Sequence, residues 1–342
     1  MRQVWTTRTG PPEVLEMREA PDPSPLPGEA RIRVKASGIN FADIMTRLGI
    51  YPDAPRLPAV VGYEVCGVVD ALGAGVTSFK ERDAVIGICR FGGYADTVCI
   101  PVEHVFPLPN GMSFSQGAVV PVSYLTVYQM LFVMGGVKKG DKVLVHSTAG
   151  GIGFAAIDLC NIAGAEIIGT ASASKHAILR DRGVRHVIDY RTQDVETEVL
   201  RITGGKGVQI VLDPIGGESW ATSLRCLAPT GRLIAFGFSS AAVGKKPSRL
   251  AALGNLLRVP WLKINPLTLI SENKGVLGVN LGHLWHCGDM VRDWSEQIFR
   301  WYAEGKIHPT AGKEFPLARA AEAHHYIQDR KNIGKVVLVP DG

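Results

Sequence analysis

The 342-residue chain is 46% hydrophobic and 20% charged, with 37 Lys and Arg against 32 Asp and Glu for a formal net charge of +5. That length exceeds one ordinary core and that apolar content is ample for burial, which points to a two-domain globular protein and excludes a disordered chain. The small, scattered positive charge gives no reason to expect a nucleic-acid partner, although it leaves an anionic substrate open.

The first residues, MRQVWTTRTG, lack the apolar core of a signal peptide. No run reaches the roughly 18 uninterrupted apolar residues of a membrane span, so a cytoplasmic protein without such a span is expected. Up to about Pro109, Pro and Gly punctuate short Val- and Ile-rich runs such as ARIRVKASGI, AVVGYEVCGVVDAL and RDAVIGI, and this part reads as mostly β. From Ser113 the pattern turns helical, then alternates. VLVH, EIIGTA, HVIDY, QIVLDPI and GRLIAFG each end in turn residues with helical segments between them, which predicts a doubly wound parallel sheet. Past Val279 a helix-rich tail leads to a last strand, Lys335–Val339, expected to return to the first domain. The boundaries drawn are 1–120 with 280–342 for one domain and 121–279 for the other.

Within the second part, Val143–Cys160 (VLVHSTAGGIGFAAIDLC) joins an apolar run, a glycine turn and a helical pattern without a gap. Such a turn lets a backbone approach a diphosphate, which the next helix's N-terminus can hold. The residues are Ala149, Gly150, Gly151, Ile152 and Gly153, which is not a full G-x-G-x-x-G, and an ordinary strand-to-helix loop is the plainer reading. Context favours a dinucleotide, because a second strand, Glu166–Ala171, follows at the spacing the fingerprint requires. It ends in Thr170-Ala171-Ser172-Ala173-Ser174-Lys175, hydroxyls and a cation where an NAD-specific site usually places Asp or Glu. That suits a 2′-phosphate, so NADPH is expected, with NADH as the alternative. Ser172 and Ser174 also suit capping of the helix beginning near Lys175, and the two roles can coexist. Tyr190 joins the same site if its strand lies beside Glu166–Ala171. His146, following an apolar strand, reads as a satisfied structural histidine.

The six cysteines (Cys66, Cys89, Cys99, Cys160, Cys226, Cys287) form no C-x-x-C pair and read mostly as small buried residues. The histidines are dispersed apart from His324-His325, so spacing predicts no metal site. The segment 241–273 combines Lys245, Lys246, Arg249, Arg258 and Lys263 with Leu253, Leu256, Leu257, Trp261 and Leu269. It reads as an amphipathic lid or dimer surface with a solvated basic face, or as cations for the phosphates of a CoA carrier.

Several strings in order carry a family resemblance across essentially the whole chain: SGINFADIMTRLGIYP (Ser37–Pro52), VGYEVCGVV (Val61–Val69), VVPVSYLTVYQML (Val119–Leu131), HSTAGGIG, GTASASKH, LDPIGG (Leu212–Gly217), IAFG and NIGKVVL (Asn332–Leu338). The chain resembles the zinc-free quinone oxidoreductase branch of the medium-chain dehydrogenase/reductase superfamily, and within it the vesicle amine transport protein group. The resemblance implies an α/β protein with a GroES-like, mostly-β catalytic domain and a Rossmann nucleotide-binding domain. It also implies a homodimer formed through the nucleotide domain's edge strand, near Gly275–Val279.

In zinc-dependent relatives the positions matching Asn40, Tyr63 and Val122 carry the catalytic zinc ligands. None of the residues here is a usual zinc ligand, so no zinc is expected. A hydride acceptor must then be electron-poor already, which suits an α,β-unsaturated carbonyl such as an enone or enoyl-CoA, or a quinone. The resemblance places Asn40 and Tyr51 at the nicotinamide pocket as hydrogen-bond donors, with Tyr63 as a further catalytic candidate. Tyr51 has a plainer reading as a turn aromatic packing on Phe41, and Tyr63 as a packed aromatic. Asp43 and Glu64 are read as residues bonded to backbone or to a basic partner. On the cofactor side the resemblance implies Thr126 at the nicotinamide, Gly150–Gly153 at the diphosphate, Ser172, Lys175 and Tyr190 at the 2′-phosphate, and Phe236-Gly237 beneath the dinucleotide. Asn332 and Lys335 close over it, unless Asn332-Ile333-Gly334 is simply a turn and Lys335 a solvated strand-edge lysine. A reductase of conjugated carbonyls is the leading reading, and a non-catalytic NADPH-binding interaction protein of the same fold is the alternative.

Overall fold

The alternation in EARIRVKASG becomes the strand Glu29–Gly38, which turns Ala30, Ile32, Val34 and Ala36 into a core and Arg31 and Arg33 outward to Asp70. The computed structural model describes residues 1–242 and 264–340. Lys245, Lys246, Arg249, Leu253, Leu256, Leu257, Arg258, Trp261 and Lys263 therefore lie outside the described residues. Among the described residues the chain forms two units, 1–125 with 282–340, and 126–242 with 264–281.

In the first unit a seven-stranded sheet runs in the order Ala311–Pro316, Lys335–Val339, Glu29–Gly38, Glu64–Leu72, Ala84–Ile88 and Val105–Pro107, with Thr97–Pro101 also paired to Glu29–Gly38. A smaller sheet joins Leu15–Glu19, Arg2–Thr6 and Ala59–Val60. Lys335–Val339 returns here, parallel to Ala311–Pro316 and antiparallel to Glu29–Gly38, with Val337 opposite Gly38 and Leu338 opposite Ser37. Extending that register sets Lys335 across from Asn40.

The stretch up to Pro109 is not strands and turns alone, because Phe41–Leu48 is an α-helix. Its signals are local ones that a β reading passes over. The Asp43 carboxylate accepts from the Asn40 backbone N–H at 2.7 Å, and Gly49 ends the helix in the left-handed region at φ 72°.

The second unit is a six-stranded parallel sheet in the order His186–Ile188, Glu166–Thr170, Lys142–Val145, Val208–Asp213, Leu227–Ala235, Gly275–Gly278. Its central strands are apolar on both faces, as a sheet covered by helices on both sides requires: Val143, Leu144, Val145, Ile210, Val211 and Leu212 are all fully buried. Numbered from its first strand this is the order 3-2-1-4-5-6, and the chain reverses between Lys142–Val145 and Val208–Asp213.

The chain passes from one unit to the other along the helical stretch Phe114–Met134, which Ser113 begins by accepting from the Gln116 N–H at 3.2 Å. It ends in a π-helical turn, Gln129–Met134. By length and composition alone this stretch could cross a membrane, although polar residues interrupt it; 72% of its most apolar window is buried within the protein.

Candidate functional site

Asn40 sits at the end of the strand Glu29–Gly38 and directly before the helix Phe41–Leu48, where its side chain is buried in the first unit. Both ends of its amide are engaged. The Nδ2 donates to Glu64 Oε1 at 2.9 Å, and the Oδ1 accepts from the Lys335 ammonium at 2.6 Å. Lys335 is also ion-paired to Glu64 Oε1 at 2.6 Å and reaches the Ser123 hydroxyl at 3.4 Å, while Glu64 Oε2 accepts from the Val122 backbone N–H at 2.8 Å. Opposite charges on its two ends leave the amide one orientation, with one Nδ2 hydrogen unused. Lys335 is only 6% exposed, so it is no solvated strand-edge lysine, and its ammonium belongs to this buried cluster. The reason is Glu64, fully buried across the sheet and in need of a cation.

Asp43 and Glu64 are bonded as read from the sequence. Besides Asn40, Asp43 accepts from the Gly62 N–H at 3.1 Å and the Tyr94 hydroxyl at 3.2 Å, yet burial still pushes its carboxyl up to about 7. The Tyr94 hydroxyl lies 3.0 Å from His324 Nε2, and burial beside Arg47 holds that histidine well below its ordinary value.

Tyr51 and Tyr63 lie edge to face with ring centroids 6.5 Å apart, and Tyr63 packs onward against Phe91 at 5.5 Å. The Tyr63 hydroxyl is buried beside that of Thr46, and neither has a partner of hydrogen-bonding geometry among the described residues. Desolvation pushes the Tyr63 phenol well above its ordinary value, so it stays protonated. The Tyr63 and Thr46 hydroxyls are thus enclosed without a partner among the described residues, and the Asn40 amide keeps one spare hydrogen.

In the second unit the strand Lys142–Val145 leads through His146-Ser147-Thr148-Ala149 to Gly150, which stands at the N-cap of the helix Gly151–Ala163. The residue that takes the left-handed conformation is Ser147 at φ 55°, not a glycine. Gly153 has a packing reason: a Cβ there would lie 2.0 Å from the Thr148 carbonyl oxygen. Helix and turn can approach each other only without a side chain, and the helix's free N–H groups then face the turn, as a diphosphate seat requires. Thr126 and Gln129 are buried on the preceding helix, and the Gln129 Oε1 has no partner among the described residues.

The strands Glu166–Thr170 and His186–Ile188 do lie side by side, Thr170 opposite Ile188. Their ends hold Ser172, whose hydroxyl is 3.3 Å from that of Ser174, together with Lys175 and Tyr190. Ser172 occupies the N-cap of the short helix Ala173–Lys175, but its side chain makes no capping bond, so the hydroxyl is not used as a cap. Phe236 and Gly237 follow the strand Leu227–Ala235, and the Phe236 N–H bonds to the Asp213 carbonyl at 3.2 Å. In the first unit, Asn332 stands directly before a bend at Ile333, its Nδ2 donating to the Gly334 carbonyl at 3.4 Å.

Sequence reasoning did not single out Ser123 and did not pair Lys335 with Glu64. A usable signal existed: EVCGVV and KVVLV each place one charge directly before a buried apolar run, and the charges are opposite. Cys66, Cys89, Cys160 and Cys226 are buried as expected, whereas Cys287 is exposed. Among the described residues no cluster of His, Cys, Asp or Glu is arranged to hold a metal ion.

Comparison with known proteins adds the following. The alcohol dehydrogenase GroES-like domain family matches residues 26–110, and the zinc-binding dehydrogenase family matches residues 182–338. The chain is 39% identical over 329 residues to the rat synaptic vesicle membrane protein VAT-1 homolog, covering 95% of this chain and 80% of the relative. It is 34% identical to a quinone oxidoreductase of Pseudomonas aeruginosa, with 99% of each chain covered. Among solved structures, Escherichia coli quinone oxidoreductase complexed with NADPH superposes with a TM-score of 0.88 at 30% identity, covering 99% of this chain and 100% of that one.

Proposed function

The chain belongs to the quinone oxidoreductase branch of the medium-chain dehydrogenase/reductase superfamily and is an oxidoreductase with an NADPH-binding fold, and from that premise we propose that it reduces a conjugated carbonyl compound or a quinone without zinc. The observation that carries this reading is the Asn40 amide held between Glu64 and Lys335. At positions where zinc-dependent relatives place ligands, this chain sets an amide oxygen already bound to an ammonium, a buried phenol in Tyr63 and an aliphatic Val122. Such a donor set does not fit a divalent cation, which the ammonium would also repel.

Bound NADPH would supply the hydride. Gly150, Gly151, Ile152 and Gly153, following Ala149, would hold its diphosphate, with Thr126, Phe236, Gly237 and Asn332 along the rest of the dinucleotide. Ser172, Lys175 and Tyr190 would bind the 2′-phosphate. The spare Asn40 N–H and the Tyr51 hydroxyl would donate to the substrate oxygen as negative charge collects there, each such donor contributing about 3 kcal/mol in a water-poor site. Tyr63, too weak an acid to give up its proton, would serve as a third donor or as a wall. Water can deliver the proton that completes the alkene's reduction. The domains would divide at 1–120 with 280–342 and at 121–279. Gly275–Gly278, which ends its sheet among the described residues, would carry a homodimer contact in a cytoplasmic enzyme.

The test is NADPH oxidation with a panel of quinones, enones and enoyl-CoA esters, alongside elemental analysis. Turnover of at least one acceptor without stoichiometric zinc is expected; bound zinc at one per chain would overturn the zinc-free reading. Likeness to a relative named a synaptic vesicle membrane protein favours a second reading, an NADPH-binding protein acting by association at a membrane surface. NADPH binding with no turnover of any acceptor would select it.

A further inference from the structure

The carboxyl ends of three neighbouring strands in the second unit are joined by one line of buried polar side chains. Asp213 ends Val208–Asp213, His146 follows Lys142–Val145, Thr170 ends Glu166–Thr170, and Ser223 reaches in from the helix Glu218–Arg225. All four are buried.

The proton positions along this line follow from what each group can do. The Asp213 carboxylate accepts from the backbone N–H of Ile215 at 2.7 Å and of Gly216 at 3.4 Å, and from the hydroxyls of Ser219 and Ser223, each at 2.7 Å. Ser223 has one proton and spends it on Asp213, so towards His146 Nε2, 3.1 Å away, its oxygen can only accept. His146 therefore carries a proton on Nε2, and in the neutral ring its Nδ1 accepts from the Thr170 hydroxyl at 3.3 Å. Thr170 Oγ1, its proton committed, accepts from the Ser147 backbone N–H at 3.3 Å. Burial, which holds His146 below its ordinary value, keeps the ring neutral. The line starts at a carboxylate and ends on Ser147, the left-handed residue of the glycine turn.

We infer that His146 and Thr170 are positioning residues for cofactor binding, fixing through this directed relay the backbone of Ser147 and so the approach of the turn to a diphosphate. The inference rests on that turn being the NADPH seat. It assigns His146 more than a packing role, because the relay crosses the sheet at the point where strand order reverses, where ligands of such sheets bind.

The experiment compares wild type, Thr170→Val and Thr170→Ser in NADPH titrations followed by reduced-nicotinamide fluorescence, with ring-nitrogen NMR of His146 in the wild type. Val has nearly the shape of Thr but no hydroxyl, so Thr170→Val is expected to weaken NADPH binding by about tenfold, and Thr170→Ser to return it to within about threefold. The NMR is expected to show the neutral Nε2–H tautomer. A Thr170→Val protein that binds NADPH as tightly as wild type, equal losses in both variants, or an Nδ1–H ring would overturn the relay. If Thr170→Val does not fold, the wild-type tautomer decides. Wild type that fails to bind NADPH at all would instead sink the cofactor reading, and the relay's purpose with it.

Discussion

Lys335 faces Asn40 across two antiparallel strands, and its ammonium stands 2.6 Å from both the Asn40 amide oxygen and a carboxylate oxygen of Glu64. One buried cation thus neutralises a buried anion and orients the amide proposed to meet substrate. Lys335→Met leaves Glu64 as an unpaired buried charge, which is expected to cost about 3–5 kcal/mol of stability by chemical denaturation. The double variant Lys335→Met, Glu64→Gln should regain most of that stability while turnover stays low, because Asn40 has lost its fixed orientation. Recovery of turnover together with stability would show that the pair only holds the fold.

Gly153→Ala places a methyl group 2.0 Å from the Thr148 carbonyl, a backbone atom that cannot swing aside. The helix Gly151–Ala163 must back away from the turn. NADPH affinity is expected to fall by more than about tenfold, as lost helix N-terminal contacts imply. Calorimetric titration checks this, and unchanged affinity would mean that the diphosphate sits elsewhere.

Lys175→Ala removes the cation that, with Ser172 and Tyr190, is proposed to hold the 2′-phosphate. The expected result is a KM for NADPH raised roughly tenfold with that for NADH unchanged, since only NADPH carries the extra phosphate. Equal effects on both cofactors would place Lys175 outside the phosphate site.

Asp43 and His324, both bonded to the Tyr94 hydroxyl, should pull stability in opposite directions with pH. Asp43, at about 7 against 3.8 in the unfolded chain, contributes stability that is complete below pH 3.8 and lost as pH rises to 7. His324, held well below 6.5, contributes stability that is present above pH 6.5 and lost as pH falls. Between about pH 4 and 6.5 the two slopes oppose each other. Relative to wild type, melting of Asp43→Asn should therefore improve with rising pH across that window, and that of His324→Gln should worsen. Differences from wild type that do not vary with pH would rule out titration at both residues.

How much of this was legible in the sequence varies with the range of the forces involved. The parallel sheet was readable because VLVH, EIIGTA and QIVLDPI are apolar throughout and end in turns, a local pattern that burial on both faces demands. The helix Phe41–Leu48 was hidden by the strand-rich text around it, although Asn40, Asp43 and Gly49 spell out its ends. The Lys335 partnership was not readable from spacing, since 295 positions separate it from Asn40 and only strand register joins them. Ser147 was hidden for a different reason: glycine is the usual left-handed residue, whereas here that conformation goes to a serine whose N–H is held by Thr170.

The place of Lys335–Val339 between Ala311–Pro316 and Glu29–Gly38 also sets an order of assembly. While the ribosome is still translating, the region around Asn40 emerges early but must wait for a strand encoded far downstream, with the whole nucleotide-binding portion made in between. The unit begun first is thus completed last, and until then Glu64 lacks the counterion that Lys335 supplies.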